Sequence, residues 1–137
     1  CMNNLKQLML GWNLYSGDHE DKIVQTGGMG IVNSHNGPFD PNAMPGGARA
    51  LWCNGTMNQA AQATNPDYIK NGLLFKYVNN LDVYKCPADK KEYNGTPTVR
   101  SMSMNAYMNP IEGNSLLNMA QVNIFKKQTH IRRPAMT

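Results

Sequence analysis

The chain has 137 residues, a formal net charge of +4 and only 16% charged side chains. That length suits one domain. No stretch approaches the ~18–20 apolar residues of a membrane span, and no basic segment ahead of an apolar run marks a signal peptide. Asn, Gly and Pro replace the missing charge, which describes an ordered, loop-heavy chain rather than a disordered one. The basic excess is small, 13 residues against 9 acidic. It comes as scattered pairs (Lys90 with Lys91, Lys126 with Lys127, Arg132 with Arg133). Scattered pairs read as solvated surface, and no nucleic-acid partner is expected.

The clearest predicted element is a helix over residues 3–16. Leu5, Leu8, Met9, Trp12 and Tyr15 recur at helical spacing and form its expected packing face. Asn3 or Asn4 is placed to cap its start, and Gly17 to end it. Asn4, Lys6, Gln7 and Asn13 give an expected polar outer face, and Gly11 implies close packing of a neighbour. Residues 17–66 form a variable loop region. It opens on the polar turn Asp18 to Lys22 and is punctuated by Gly27, Gly28, Gly30, Pro38, Pro41, Pro45 and Gly46. Ile23 with Val24, and residues 49–53, read as short strands within it.

Residues 67–137 hold the predicted helix and strand core. Asp67 is read as the cap of a helix carrying Ile69, Leu73, Leu74, Tyr77 and Val78. Residues 83–86 alternate and stop at Pro87 as a strand would. A second strand over 99–105 is entered after the Asn94-Gly95 turn, and 119–128 is ambiguous between helix and strand. The expected fold is α+β: an N-terminal amphipathic helix on a small antiparallel sheet, with long irregular loops.

The chemistry-bearing residues form no catalytic motif. His19, His35 and His130 stand in turn-like sequence, and Asp18, Glu20 and Asp21 lack the ligand spacing of an EF-hand. Gly27-Gly28-Met29-Gly30 lacks the strand and helix that a phosphate cradle needs. No enzymatic activity, metal or cofactor is expected. Cys1, Cys53 and Cys86 allow at most one internal bridge and three possible pairings; the expected one joins Cys86 to Cys1 or to Cys53. Asn54-Gly55-Thr56 and Asn94-Gly95-Thr96 match the glycosylation acceptor pattern, although turn formation alone accounts for both Asn-Gly pairs.

Three separated segments carry a family resemblance. They are Cys1-Met2-Asn3-Asn4-Leu5-Lys6-Gln7-Leu8, then Val83-Tyr84-Lys85-Cys86-Pro87-Ala88-Asp89, and Val99-Arg100-Ser101-Met102-Ser103-Met104-Asn105 ahead of Met108-Asn109-Pro110. Together they resemble the type II secretion pseudopilin-like proteins of the Planctomycetes–Verrucomicrobia type, which carry a prepilin-type N-terminal cleavage and methylation motif. The resemblance implies a pilin-like fold and a structural subunit of a periplasmic pseudopilus. It also implies an apolar helix upstream of Cys1 that anchors the precursor in the inner membrane and contacts other pseudopilin subunits. On that reading residues 1–137 are a single periplasmic domain lacking both ends of the protein, and are monomeric alone. Calcium is implied only by analogy, through a C-terminal strand with an Asp-Glu pair that this segment does not contain. The alternative is an exported carbohydrate- or solute-binding module, using the long loop and the aromatic residues. A lipidated Cys1 is disfavoured, because a helix begins within two residues of it.

Overall fold

The computed structural model describes residues 1–27, 36–111 and 123–131. It is an α+β structure led by one long helix, α1 (Met2–Asp18), with a two-stranded antiparallel sheet about two-thirds of the way along the chain. Between them, among the described residues, stand three single-turn helices, α2 (Ala60–Ala63), α3 (Asp67–Lys70) and α4 (Phe75–Val78), and a 3₁₀ turn at Leu81–Tyr84.

α1 exceeds the predicted bounds at both ends. Cys1 takes the cap position without a side-chain hydrogen bond, so neither Asn3 nor Asn4 is the cap. The helix runs through Gly17, and the left-handed residues that turn the chain afterwards are Glu20 and Asp21. Its buried residues are Leu8, Gly11, Tyr15 and Ser16, with Trp12 half-buried. Leu5 and Met9 depart from the predicted packing face, being 47% and 53% exposed. The cause is geometric. At 100° per residue Leu5 and Met9 lie on either side of buried Ser16, so their direction is inward, but at their level α1 lines an open groove that leaves both side chains about half exposed. The outer surface is also less polar than expected, because Leu10 and Leu14 are exposed there beside Asn3, Lys6 and Gln7.

α1 packs on α4 and on the Leu81–Tyr84 turn rather than on the sheet. At Gly11 an added Cβ would lie 2.6 Å from the Val78 side chain, so this glycine permits the close approach of α1 and α4. The main core joins Leu8 and Tyr15 to Val24, Trp52, Cys53, Ile69, Leu74, Val83 and Tyr84. Each such apolar side chain contributes about 1.5–3 kcal/mol by leaving water.

Several predicted strands are other structures. Residues 83–86 enter from the 3₁₀ turn, which forms because the Asn80 side chain accepts from the Asp82 N–H at 3.0 Å. The predicted helix from Asp67 is split into α3 and α4. Asp67 lies in the first turn of α3, and Asn65 Oδ1 accepts its N–H at 2.9 Å. Residues 49–53 are turn, bend and irregular chain, and residues 99–105 are irregular, so neither segment is a strand. Instead, the Trp52 N–H donates to the Gln25 carbonyl at 2.8 Å, and the Ser101 and Met102 N–H groups both donate to the Tyr84 carbonyl. Ile23 and Val24 are fully buried, flanked by isolated bridges from Lys22 to Lys127 and from Thr26 to Pro110. Of residues 119–128, the first four lie outside the described residues; Phe125 and Lys127 make isolated bridges.

The sheet is a minimal hairpin of β1 (Glu92–Tyr93) and β2 (Thr96–Pro97), with Tyr93 facing Thr96 in register. Asn94 and Gly95 have φ of 50° and 79°, the positive values that a tight hairpin turn of the favoured hand requires.

Candidate functional site

The first half of α1 is fastened to the body of the protein. Cys1 is disulfide-bonded to Cys86, with Cα atoms 4.9 Å apart, and Cys53 is a buried free thiol. One turn along, the Asn4 amide donates to the Lys85 carbonyl at 2.8 Å and to the Asp82 carbonyl at 3.2 Å. At the other end, Tyr77 donates its hydroxyl proton to Asp18 at 2.9 Å. The Gln128 amide donates to Asn13 Oδ1 at 2.9 Å. These contacts fix which side of α1 faces inward. Met2, Leu5, Met9, Leu10 and Leu14 remain exposed.

Leu5, Leu8, Met9 and Trp12 form one wall of an apolar groove of about 760 Å³. Leu74, Trp52, Met102, Met104, Met108 and Ile131 line it as well. Its polar lining is Asp21, Ser103, Asn105, Gln128 and Thr129, of which three are bonded to one another: the Thr129 N–H donates to Asp21 Oδ2, and the Gln128 N–H to the Asp21 carbonyl. The Thr129 hydrogen bonds hold the Asp21 carboxyl below the usual carboxylate range. The methionine lining was missed by the sequence reading, which placed residues 99–105 in a strand. The available signal was composition, ten methionines in the chain, since unbranched thioethers suit an adaptable apolar surface.

The remaining candidate residues are dispersed. His19 is stacked on Tyr15 with ring centroids 4.0 Å apart, and its Nδ1 lies 2.8 Å from the Tyr15 carbonyl. His130 ends the 3₁₀ turn Gln128–His130, while His35 lies outside the described residues, as do Gly28, Met29, Gly30, Arg132 and Arg133. Asp18 and Asp21 are engaged with Tyr77 and Thr129, and Glu20 makes an exposed 3.9 Å ion pair with Lys22. Among the described residues no three His, Cys, Asp or Glu side chains converge as a metal site would require.

Cys53 is 4% exposed, and burial pushes its thiol up to about 11, against the opposing influence of the Arg100 charge. A thiol in that state is a poor nucleophile. Arg100 lies over Trp52, 5.2 Å from the ring centroid, and donates to the Met102 and Gly55 carbonyls at 2.8 and 3.2 Å. Asn54 is 1% exposed and donates to the Ala43 carbonyl at 3.1 Å. This burial removes it as a glycosylation acceptor. Asn94 and Thr96, in contrast, stand exposed on the hairpin. Comparisons with protein-family models, curated proteins and solved structures find no match to this chain.

Proposed function

We propose that the chain is the globular part of a pseudopilin-like structural subunit, which assembles through helix packing in the cell envelope and catalyses no reaction. The observation that carries this reading is the two-sided character of α1. Its inner stripe is clamped by Cys1–Cys86, Asn4 and the Gly11–Val78 approach, while Leu10 and Leu14 stay exposed on the outer surface. A rigid helix presenting apolar side chains outward suits lateral packing against neighbouring helices. The Cys1–Cys86 bridge supports an oxidising compartment such as the periplasm. In this account an upstream apolar helix supplies the membrane anchor and most of the subunit contacts, and the domain alone is monomeric.

The test is incorporation into filaments. The protein carrying its upstream apolar segment is expected in the sheared, sedimentable fraction of the cell envelope. Leu10→Lys combined with Leu14→Lys is expected to reduce that fraction strongly while leaving the thermal midpoint unchanged. Unchanged incorporation of a folded double variant would remove the role assigned to this face.

The groove favours a second reading, an exported solute-binding module. Its volume lies within the usual range of small-molecule sites, about 300–1,000 Å³. Leu5, Met9, Trp12 and the methionine lining suit an apolar solute better than a carbohydrate, which needs several unengaged hydrogen-bonding groups. Saturable binding of an apolar fluorescent probe, abolished by Met104→Lys, would favour it.

A further inference from the structure

The geometry points to Asn94 as the attachment site of an N-linked glycan, with Glu92, Asn94 and Thr96 together forming the acceptor read by a bacterial oligosaccharyltransferase.

The sequence contains two Asn-Gly-Thr triplets, and the fold treats them oppositely. Asn54 is sealed in the interior with its amide donating to the Ala43 carbonyl, and Thr56 is buried beside it. Asn94 sits at the turn of the β1–β2 hairpin, with Glu92, Gly95, Thr96 and Pro97 all exposed. A transferase must surround the acceptor amide and hold the hydroxyl two residues on, so only the second triplet is open to it.

Three further features favour the hairpin. Glu92 stands two residues before Asn94, giving the segment the Glu-Xaa-Asn-Xaa-Thr form. That form is the extended acceptor of bacterial oligosaccharyltransferases, in which the acid supplies a charged handle beyond the eukaryotic pattern. At the other triplet the corresponding position is Trp52. The strands contain only two residue pairs, Glu92 with Pro97 and Tyr93 with Thr96, so the tip opens into an enzyme groove at small cost. The base stays anchored as it does so, because the Tyr93 hydroxyl and the Lys91 ammonium both donate to the Met57 carbonyl, at 2.8 and 3.1 Å.

The transfer uses a polyprenyl-diphosphate-linked oligosaccharide as co-reactant. The Asn94 amide nitrogen forms a bond to the anomeric carbon, the bond from that carbon to the diphosphate oxygen breaks, and one amide proton passes to a base on the transferase. Polyprenyl diphosphate leaves. The proposal shares with the pseudopilin-like reading only the premise of export, and does not need filament assembly.

The test exports the chain behind a cleavable signal peptide into the periplasm of a bacterium that makes an oligosaccharyltransferase and its lipid-linked glycan. The disulfide-bonded chain is then digested with trypsin and its peptides analysed by mass spectrometry. One glycan is expected on the peptide spanning residues 92–100. It should be lost in Asn94→Gln and Thr96→Ala and reduced several-fold in Glu92→Gln, a change to an exposed side chain that leaves the fold unaffected. A disulfide-bonded wild-type chain with no added glycan mass, or a glycan on the 50–70 peptide instead, would overturn the assignment. Filament assembly is not read in this assay, so failure of the structural-subunit reading leaves this result standing.

Discussion

The side chain of Asn4 reaches the backbone carbonyl of Lys85 at 2.8 Å, one residue before the cysteine that is bonded to Cys1. Covalent bond and hydrogen bond therefore fasten the first turn of α1 to the same short stretch of chain. Eighty-five positions separate the two cysteines. In a chain-entropy description, closing a loop of that length stabilises the fold by about 4–5 kcal/mol before any native strain. Cys86→Ser is expected to lower the unfolding free energy by about 2–5 kcal/mol. Denaturant titration of the oxidised wild type and the variant checks this, and coincident curves would remove the clamp from the account.

The helix faces differ in energetic weight. Leu8 lies in the core, whereas Leu10 projects outward. Leu8→Ala is expected to cost about 2–5 kcal/mol, through lost burial and a residual cavity. Leu10→Ala should fall within about 0.5 kcal/mol of wild type. Equal losses measured for both variants would mean that α1 is rotated relative to the body.

Tyr84 is fully buried among Trp52 and Phe75, and its hydroxyl has no hydrogen-bond partner among the described residues. Burial drives its pKa upward, so the group stays neutral throughout the ordinary pH range. Removing an unsatisfied buried hydroxyl relieves a desolvation cost of about 1–3 kcal/mol. Tyr84→Phe should accordingly match or exceed the wild-type thermal midpoint, and a clear drop in calorimetry would reveal a partner for the hydroxyl.

Asp21 joins the end of the first helical region to residues 128–129. Hydrogen bonding to Thr129 lowers its native pKa below the unfolded value. The stabilising contribution is therefore fully present above the ordinary carboxylate range, and is lost as pH falls through the lower native value. Asp21→Asn should be less stable than wild type near neutrality, with the difference closing in strong acid. Denaturation midpoints measured across pH check the sign; a gap that widens on acidification contradicts it.

Much of α1 was legible because its apolar residues repeat at 3.6-residue spacing and Gly11 marks a close approach. The stripe was read too broadly: Leu5 and Met9 satisfy the periodicity, yet the buried residues of α1 are Leu8, Gly11, Tyr15 and Ser16, with Trp12 at their margin. The Asn94-Gly95 turn was legible from local chemistry alone, since both residues accept positive φ. Residues 83–86 were not, because apolar alternation says nothing of Asn80, whose side chain captures the Asp82 N–H and winds a 3₁₀ turn. The groove was invisible for a related reason. Met102 and Met104 alternate as strand residues would, but the Ser101 and Met102 N–H groups end on the single Tyr84 carbonyl instead of a neighbouring ladder.

On the pseudopilin-like proposal, in which an upstream apolar segment drives assembly, residues 1–137 alone should sediment as a monomer at micromolar concentration. Exposed Leu10 and Leu14 are interspersed with Asn3, Lys6, Gln7 and Asn13, and form a narrow ridge rather than a broad apolar face. A stable oligomer in sedimentation would move assembly onto the globular surface.

The central claim, that α1 packs against neighbouring subunits with its outer ridge, is tested most directly by cysteine cross-linking in intact envelopes. Leu10→Cys and Leu14→Cys variants of the protein carrying its upstream segment would be oxidised in place and resolved on non-reducing gels. The account predicts disulfide-linked dimers, one bond per introduced thiol, from both variants and none from an Asn94→Cys control at the hairpin turn. Monomers alone from both helix variants, with the subunit present and folded in the envelope, would contradict it.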